Sequence, residues 1–321
     1  MKTILKAAAA SLAFMFAAGA HAQSWPTTTV KIVVPYPPGG NVDNAARLIA
    51  PGLQAALGKP VIVENRAGAG GMIAGQFVAK SEADGHTLFM AANGPLLYSP
   101  LIFKRDAYHW EKDFAPISTV SLTPVVLQVH NSVQAKTLQE LIDFAKQNPN
   151  KLMMASPGAG TTNHLVSELL QEKTGAKWTT VHYKGNAPAT FDLVGGQVQF
   201  NFDQVSVALP YVKEGKTRAL AVSTSKRVAA LPDVPTFAEA GVPVEAATFT
   251  GLLAPTGTPK AVIDRLSAEV QKILKDKEIM KKFDVMGAEA RGSSPEEFAA
   301  YLKKEDATWV PLIKRINIDA Q

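Results

Sequence analysis

The chain has 321 residues, 46% of them hydrophobic, a formal charge of +5 and no cysteine. That length holds one large domain or two of medium size with ample core. The missing cysteines exclude disulfides, thiolate metal ligands, a cysteine nucleophile and a lipidated N-terminal Cys, and 19% charged with 7% aromatic residues argues against both disorder and a base-stacking platform.

Residues 1–6 carry Lys2 and Lys6 and no acid, residues 7–18 are apolar apart from Ser11, and Ala20-His21-Ala22 is a small-x-small cleavage site. This reads as a secretory signal peptide over 1–22, cleaved after Ala22. The apolar run is shorter than the ~18 residues a membrane span needs. Losing Lys2 and Lys6 lowers the charge from +5 to +3, which gives no reason to expect a nucleic-acid partner. The leader predicts a freely diffusing periplasmic or extracellular protein, held together by its core alone.

After the leader, residues 29–35 read as a buried strand, because they are β-branched and almost continuously apolar. A turn at 36–40 follows. Asn41 or Asp43 is expected to cap the next helix, and Pro51 to kink or split it. Residues 61–63 form a strand, 68–71 a glycine-rich turn, then a helix to about Lys80 and a third strand at 87–91. This β-α-β-α-β order predicts a parallel sheet with covering helices. Residues 117–129 hold two β-rich runs around Pro124, a crossing between lobes. The pattern then restarts. Thr137-x-x-Glu140 is a capping box for a helix to about Lys146. Strands are expected at 152–155, 179–182, 198–202, 218–222 and 248–253, and helices at 164–172 and from the 184–188 turn to Leu193. Thr236-x-x-Glu239 is a second capping box, and Pro259 opens a helix with Val262, Leu266, Val270 and Ile273 on one face. Ser294-Pro295-Glu296-Glu297 opens the last helix, and the charges between Lys272 and Lys282 form a solvated face.

Four strand-to-helix loops stand out: 35–44, 91–95, 155–164 and 182–189. Each places small residues where backbone N–H groups at a helix start can face a ligand, at the positive end of the helix dipole. Hydroxyls of Ser156, Thr161 and Thr162 and amides of Asn41, Asn93, Asn163 and Asn186 add neutral donors, with Lys184 as the only cation in these loops. Facing loops of this kind suit a carboxylate; taken singly, they are also ordinary turns and caps. Gly158-Ala159-Gly160 fails the dinucleotide fingerprint because position 163 is Asn, and no Walker loop occurs. Ser156, His164 and Asp203 are the residues a hydrolase would recruit, but no G-x-S-x-G elbow accompanies them. His164 and Glu168 lack a second histidine to complete a metal motif. His86, His109 and His130 read as structural, and Tyr183 as core or as a stacking face for a ligand.

At these loops the sequence resembles the extracytoplasmic solute-binding proteins of tripartite tricarboxylate transporters, the Bug-type receptors of Gram-negative bacteria. The resemblance rests on Pro38-Gly39-Gly40-x-x-Asp43 with Arg47; Val63-Glu64-Asn65-Arg66-x-Gly68-Ala69-Gly70-Gly71; and Ala83-Asp84-Gly85-His86-Thr87-Leu88. It continues with Ser156-x-Gly158-x-Gly160-Thr161 through His164, Tyr183-Lys184-Gly185, Gly195-Gly196-Gln197-Val198 and Arg218-Ala219-Leu220-Ala221-Val222. It ends with Leu231-Pro232-Asp233-Val234-Pro235-Thr236, Glu239-x-Gly241 and Ala254-Pro255-x-Gly257-Thr258-Pro259. These cover nearly all of the chain after the leader.

The resemblance implies an α/β fold of the periplasmic-binding-protein type II kind, a Venus flytrap. Lobe one would be 24–124 plus 249–321 and lobe two 125–248, with the ligand between them. It implies a non-enzymatic receptor that captures a small organic anion, typically a carboxylate, and delivers it to the membrane permease subunits of the transporter. It implies that the loops 36–43 and 156–164 hold carboxylate oxygens, partly through ordered water, with Asp203 towards the distal ligand end. With the loop reading, the expected contact set is Tyr36, Gly39, Gly40, Asn41, Asn93, Ser156, Gly160, Thr161, Thr162, His164, Tyr183, Asn186 and Asp203. A monomer is expected, with no metal and no cofactor. Pro51, and Asn41-Val42 after the glycines, depart from the commoner family pattern. An exported serine hydrolase and a sensory input domain are the alternatives.

Overall fold

The computed structural model describes residues 25–316 and 318. The leader and its cleavage point lie outside the described residues. The first half opens with β1 (Val30–Val34), α1 (Asn41–Leu57), β2 (Val61–Asn65), α2 (Met72–Ala79) and β3 (Thr87–Ala92). β1 pairs in parallel with both β2 and β3, as the alternating pattern predicts. A π-type turn at Gly94–Tyr98 and short helical turns at Ser99–Ile102 and Trp110–Asp113 lead into β4 (Phe114–His130). Next come α3 (Leu138–Gln147), β5 (Met153–Ser156), α4 (Thr162–Thr174), β6 (Thr179–His182), α5 (Asn186–Val194), β7 (Phe200–Gln204), α6 (Val205–Lys213) and β8 (Thr217–Val222). The chain finishes with β9 (Ala247–Pro255), α7 (Lys260–Leu274), α8 (Lys277–Val285), β10 (Glu289–Ala290) and α9 (Pro295–Ile316).

The strands follow one path, β2-β1-β3-β9-β4-β7-β5-β6, with β8 and β10 also on β4. The expected pair of runs around Pro124 is one 17-residue strand that changes partners. Its residues Phe114–Pro124 pair antiparallel with β9. Its residues from Val125 onward pair with β7 and β8. Pro124 sits where one ladder gives way to the other, a place where a missing N–H costs little.

Three local expectations differ from the structure. Pro51 neither splits nor ends α1, which runs unbroken. Pro51 and Arg47, whose carbonyl loses its helical partner, are both exposed, on the face of the helix where an unpaired carbonyl costs least. Meanwhile Ile49, Leu53 and Leu57 stay buried, and α7 closes so tightly that a Cβ at Gly52 would lie 2.8 Å from Ile273 Cγ1. The second capping box forms both reciprocal bonds, Thr236 N–H to Glu239 Oε2 at 2.7 Å and Glu239 N–H to Thr236 Oγ1 at 3.0 Å. It opens only a single turn, because Gly241 adopts φ +86° and Pro243 follows. Finally, α6 was not expected. No element was read between the strands at 198–202 and 218–222; Val205, Ala208 and Leu209 bury against Val126 and Val222 and hold the segment helical despite its β-branched residues and Pro210.

α7 presents the expected face, with Val262, Leu266 and Val270 buried. α9 starts with a full capping box, Ser294 N–H to Glu297 Oε2 at 2.8 Å and Glu297 N–H to Ser294 Oγ at 3.1 Å. None of the described helices is long and apolar enough to cross a membrane.

Candidate functional site

All four strand-to-helix loops meet at one narrow cavity, about 20 Å³ in volume. From the first half it is lined by Tyr36, Asn41, Val42, Ala92 and Gly94. From the second half come Pro157, Thr161, Thr162, Asn163, Asn186 and Gln204, and β9 adds Thr248. No lysine or arginine is among these residues, and Lys184 is exposed outside the lining.

Three helix starts point at this space. α1 and α5 are capped by Gly40 and Gly185, and neither cap supplies a side-chain bond. The first N–H groups of both helices are thus left for a ligand or water. α4 is capped by Thr161, whose Oγ1 accepts from His164 N–H at 3.3 Å and donates to Gly158 O at 2.8 Å. Asn41, expected as a cap, is the first residue of α1. Asp43 lies inside the helix, and its carboxylate accepts from Gly39 N–H at 2.9 Å, Arg47 Nε at 2.9 Å and Asn65 Nδ2 at 2.8 Å. Burial pushes its pKa up, but these bonds outweigh burial and hold the carboxyl below the usual range. The effect is to brace the glycine turn at 39–40 against α1 and β2. Gly40 must stay small, since a Cβ there would lie 3.1 Å from Asn186 Oδ1.

The second-half wall is a chain of buried amides. Asn163 Nδ2 donates to Phe202 O at 2.6 Å and to Gln204 Oε1 at 3.4 Å. Gln204 Nε2 donates to Asn163 Oδ1 at 2.9 Å and to Thr248 Oγ1 at 2.8 Å. Asn186 Nδ2 donates to Asp203 Oδ1 at 2.5 Å and Gln204 Oε1 at 2.6 Å. Asp203 also accepts from Thr190 Oγ1, Gln204 N–H and Asn201 Nδ2. It is 1% exposed. Burial pushes its carboxyl up to about 6, against the opposing pull of those donors. Asp203 thus stands behind Asn186 rather than in the cavity wall, away from the distal-end position the resemblance implies.

On the opposite side, Asn41 Oδ1 accepts from Ser206 Oγ at 2.7 Å and Thr123 Oγ1 at 3.0 Å. Its Nδ2 is buried without a partner. Such a group costs free energy unless something fills it, and it lines the cavity.

Several expected contact residues are directed elsewhere. Asn93 Nδ2 donates to Glu305 Oε2 at 2.7 Å and its Oδ1 accepts from Phe249 N–H at 2.9 Å, tying α9 and β9 to the end of β3. Ser156 Oγ bonds within its own turn to Gly158. Gly160 N–H donates to His164 Nδ1 at 3.3 Å. His164 Nε2 lies 3.7 Å from Glu168 Oε1, and burial, with His182 edge-on at 4.7 Å, pulls its pKa down to about 3. Tyr183 Oη donates to Asp192 Oδ2 at 2.7 Å. Gly39 shapes the turn at φ +88° without reaching the cavity lining. Ser156, His164 and Asp203 each have separate partners, so no charge-relay triad is assembled from them. Among the described residues no group of three or more His, Asp and Glu is placed to hold a metal ion.

Gln204 and Thr248 were missed by the sequence reading. The strand expected at 198–202 is shifted two residues to Phe200–Gln204. The signal was present in Asn201-Phe202-Asp203-Gln204, where three polar side chains close a β-rich run. Buried polar groups in a strand need partners, and that need marks them.

Residues 45–318 match the family described as tripartite tricarboxylate transporter family receptor. The chain is 34% identical over 300 residues to protein BugT of Bordetella pertussis, covering 93% of this chain and 92% of BugT. Among solved structures it is similar to an R. palustris protein determined with adipate, at 36% identity and TM-score 0.89, covering 92% of this chain and 99% of that one. It is also similar to MatC from Rhodopseudomonas palustris with bound malate, at 33% identity and TM-score 0.84, covering 89% and 98% respectively. The mixed α/β fold is that of the periplasmic solute-binding proteins.

Proposed function

Because the chain belongs to the tripartite tricarboxylate transporter receptor family, we propose that it captures a small carboxylate in the cavity and delivers it to the permease subunits of such a transporter. The observation that carries this reading is the convergence of three helix starts, two without side-chain caps, on a cavity lined by no lysine or arginine. Helix starts and backbone N–H groups favour an anion. Neutral donors also let it go again, as a delivery protein requires. The adipate and malate found with similar structures support a carboxylate.

The lobes are 24–124 plus 249–321 and 125–248. The partner switch of β4 at Pro124 and Val125 supports that division. The ligand oxygens take the N–H groups of Asn41, Val42, Thr162, Asn163 and Asn186 and the hydroxyls of Tyr36, Thr162 and Thr248. The leader supports a periplasmic location, and capture involves no chemical step.

A thermal-shift screen against mono-, di- and tricarboxylates, followed by calorimetry, tests this. One acid should raise the melt and bind at one site per chain, unchanged on recovery. If no carboxylate binds, or if the acid is recovered as a product, the receptor reading fails. Uptake of the labelled acid by cells with and without this receptor separates transport from sensing.

A further inference from the structure

The amide chain on the second-half wall has a fixed sense, and that sense reaches the ligand. A backbone carbonyl can only accept, so Phe202 O holds Asn163 with Nδ2 inward, at 2.6 Å. Asn163 Oδ1 then faces Gln204 Nε2, and Gln204 Oε1 faces Asn186. A carboxylate also only accepts, so Asp203 Oδ1 takes the other N–H of Asn186 at 2.5 Å. Both N–H bonds of Asn186 are thereby committed from two independent anchors. Its Oδ1 is the amide atom to which the described residues offer no hydrogen bond. That oxygen lies beside Gly40, between the starts of α1 and α5, on a side chain that lines the cavity and is 6% exposed. Asp203, directly behind, adds negative potential at the same end.

We propose that this end of the cavity recognises a hydrogen-bond donor on the ligand, so that the preferred carboxylate carries a hydroxyl, ammonium or amide N–H within reach of Asn186 Oδ1. This rests on the carboxylate-receptor reading and narrows it. The sequence reading had Asn186 as a donor to an anion; the bonding pattern makes it an acceptor. A carboxylate without such a donor takes water from that oxygen and leaves it unpaired, or brings its own oxygen against it, and either costs affinity.

Matched series test this by calorimetry on the wild-type protein: propionate, lactate and alanine; succinate, malate and aspartate; glutarate, 2-hydroxyglutarate and glutamate. In the series that binds, a hydroxy or amino member should bind about ten- to a hundredfold more tightly than the unsubstituted parent. The better of the two shows whether the donor is a hydroxyl or an ammonium. Asn186→Ala should collapse that ratio towards one, whatever it does to the affinities themselves. If the parent binds as tightly as both substituted members, the proposal is overturned and the carboxylate reading stands. If no member binds and the wider carboxylate screen yields only acids without a hydroxyl, ammonium or N–H, the proposal is overturned and the carboxylate reading stands; if that screen yields no binder, both fall.

Discussion

Asn41 and Gln204 are amides of the same cavity, 4% and 3% exposed, and they are satisfied to very different degrees. Gln204 takes part in four side-chain bonds, to Asn163, Asn186 and Thr248, that use both its hydrogens and its oxygen. Asn41 uses its oxygen on Thr123 and Ser206 and leaves its Nδ2 without a partner. The second-half amides are thus tied to one another before any ligand arrives, with Asn186 Oδ1 and the glycine-capped start of α5 left towards the cavity. The first-half wall has a glycine-capped helix start and an unfilled amide, and a ligand completes it. Substitutions on the first wall should therefore register in folding, if at all, far less than in binding, and those on the second should register in folding.

The largest effect should come from Gln204→Leu. Removing this amide strands Asn163 Oδ1, Asn186 Nδ2 and the Thr248 hydroxyl, and should lower stability by about 3–4 kcal/mol in urea unfolding. A loss below about 1 kcal/mol would mean that the wall is not the organised element described.

Asp203 gives the next effect through pH. With its folded pKa raised to about 6 against an ordinary 3.8, the folded protein keeps a proton that the unfolded chain has lost between those values. Its contribution is full below pH 4 and is lost as pH rises through 6, about 3 kcal/mol in all. His164 acts in the opposite sense, because its folded pKa lies near 3 and stability is lost as pH falls from 6.5. Stability measured from pH 4 to 7 should therefore rise more steeply with pH in Asp203→Asn than in wild type. Parallel curves would place the titration elsewhere.

On the first wall, Asn41→Asp keeps the oxygen that Thr123 and Ser206 donate to and replaces the unpaired Nδ2 with an acceptor, so it should weaken carboxylate binding at least about tenfold in calorimetry while changing urea stability by no more than about 1 kcal/mol. The reverse pattern, intact binding and a large stability loss, would erase the contrast between the walls. The smallest effect is expected for Thr161→Ala, which removes the cap of α4 and should cost about 1 kcal/mol of stability.

Much of this fold was legible in the chain itself. The β-branched runs at β1 and β2 and the capping boxes at Thr137 and Ser294 act over a few residues, and each appears where it was expected. Where a local signal competed with packing, it lost. Pro51 stays in α1 because the buried face of that helix outweighs one missing bond, and α6 forms from residues of low helix propensity because Val205, Ala208 and Leu209 have a core to enter. The site divided along the same line. The four loops converge as read, but Ser156, Asn93 and Tyr183 are spent on their own surroundings, and Gln204 and Thr248 take places in the wall, the first marked only by the polar run Asn201-Phe202-Asp203-Gln204.

The alternation of strands and helices and the glycine-rich helix starts were determined by sequence alone, because each is written in residue types within one turn or one strand. Which amide offers an oxygen and which an N–H was decided only by tertiary structure. An amide's direction is set by its partners, and here they lie 17 residues away for Asn186 and Asp203, 39 for Asn163 and Phe202, and 165 for Asn41 and Ser206. Only folding brings those groups within hydrogen-bond distance, and it is there that a set of neutral polar residues acquires a definite polarity towards a ligand.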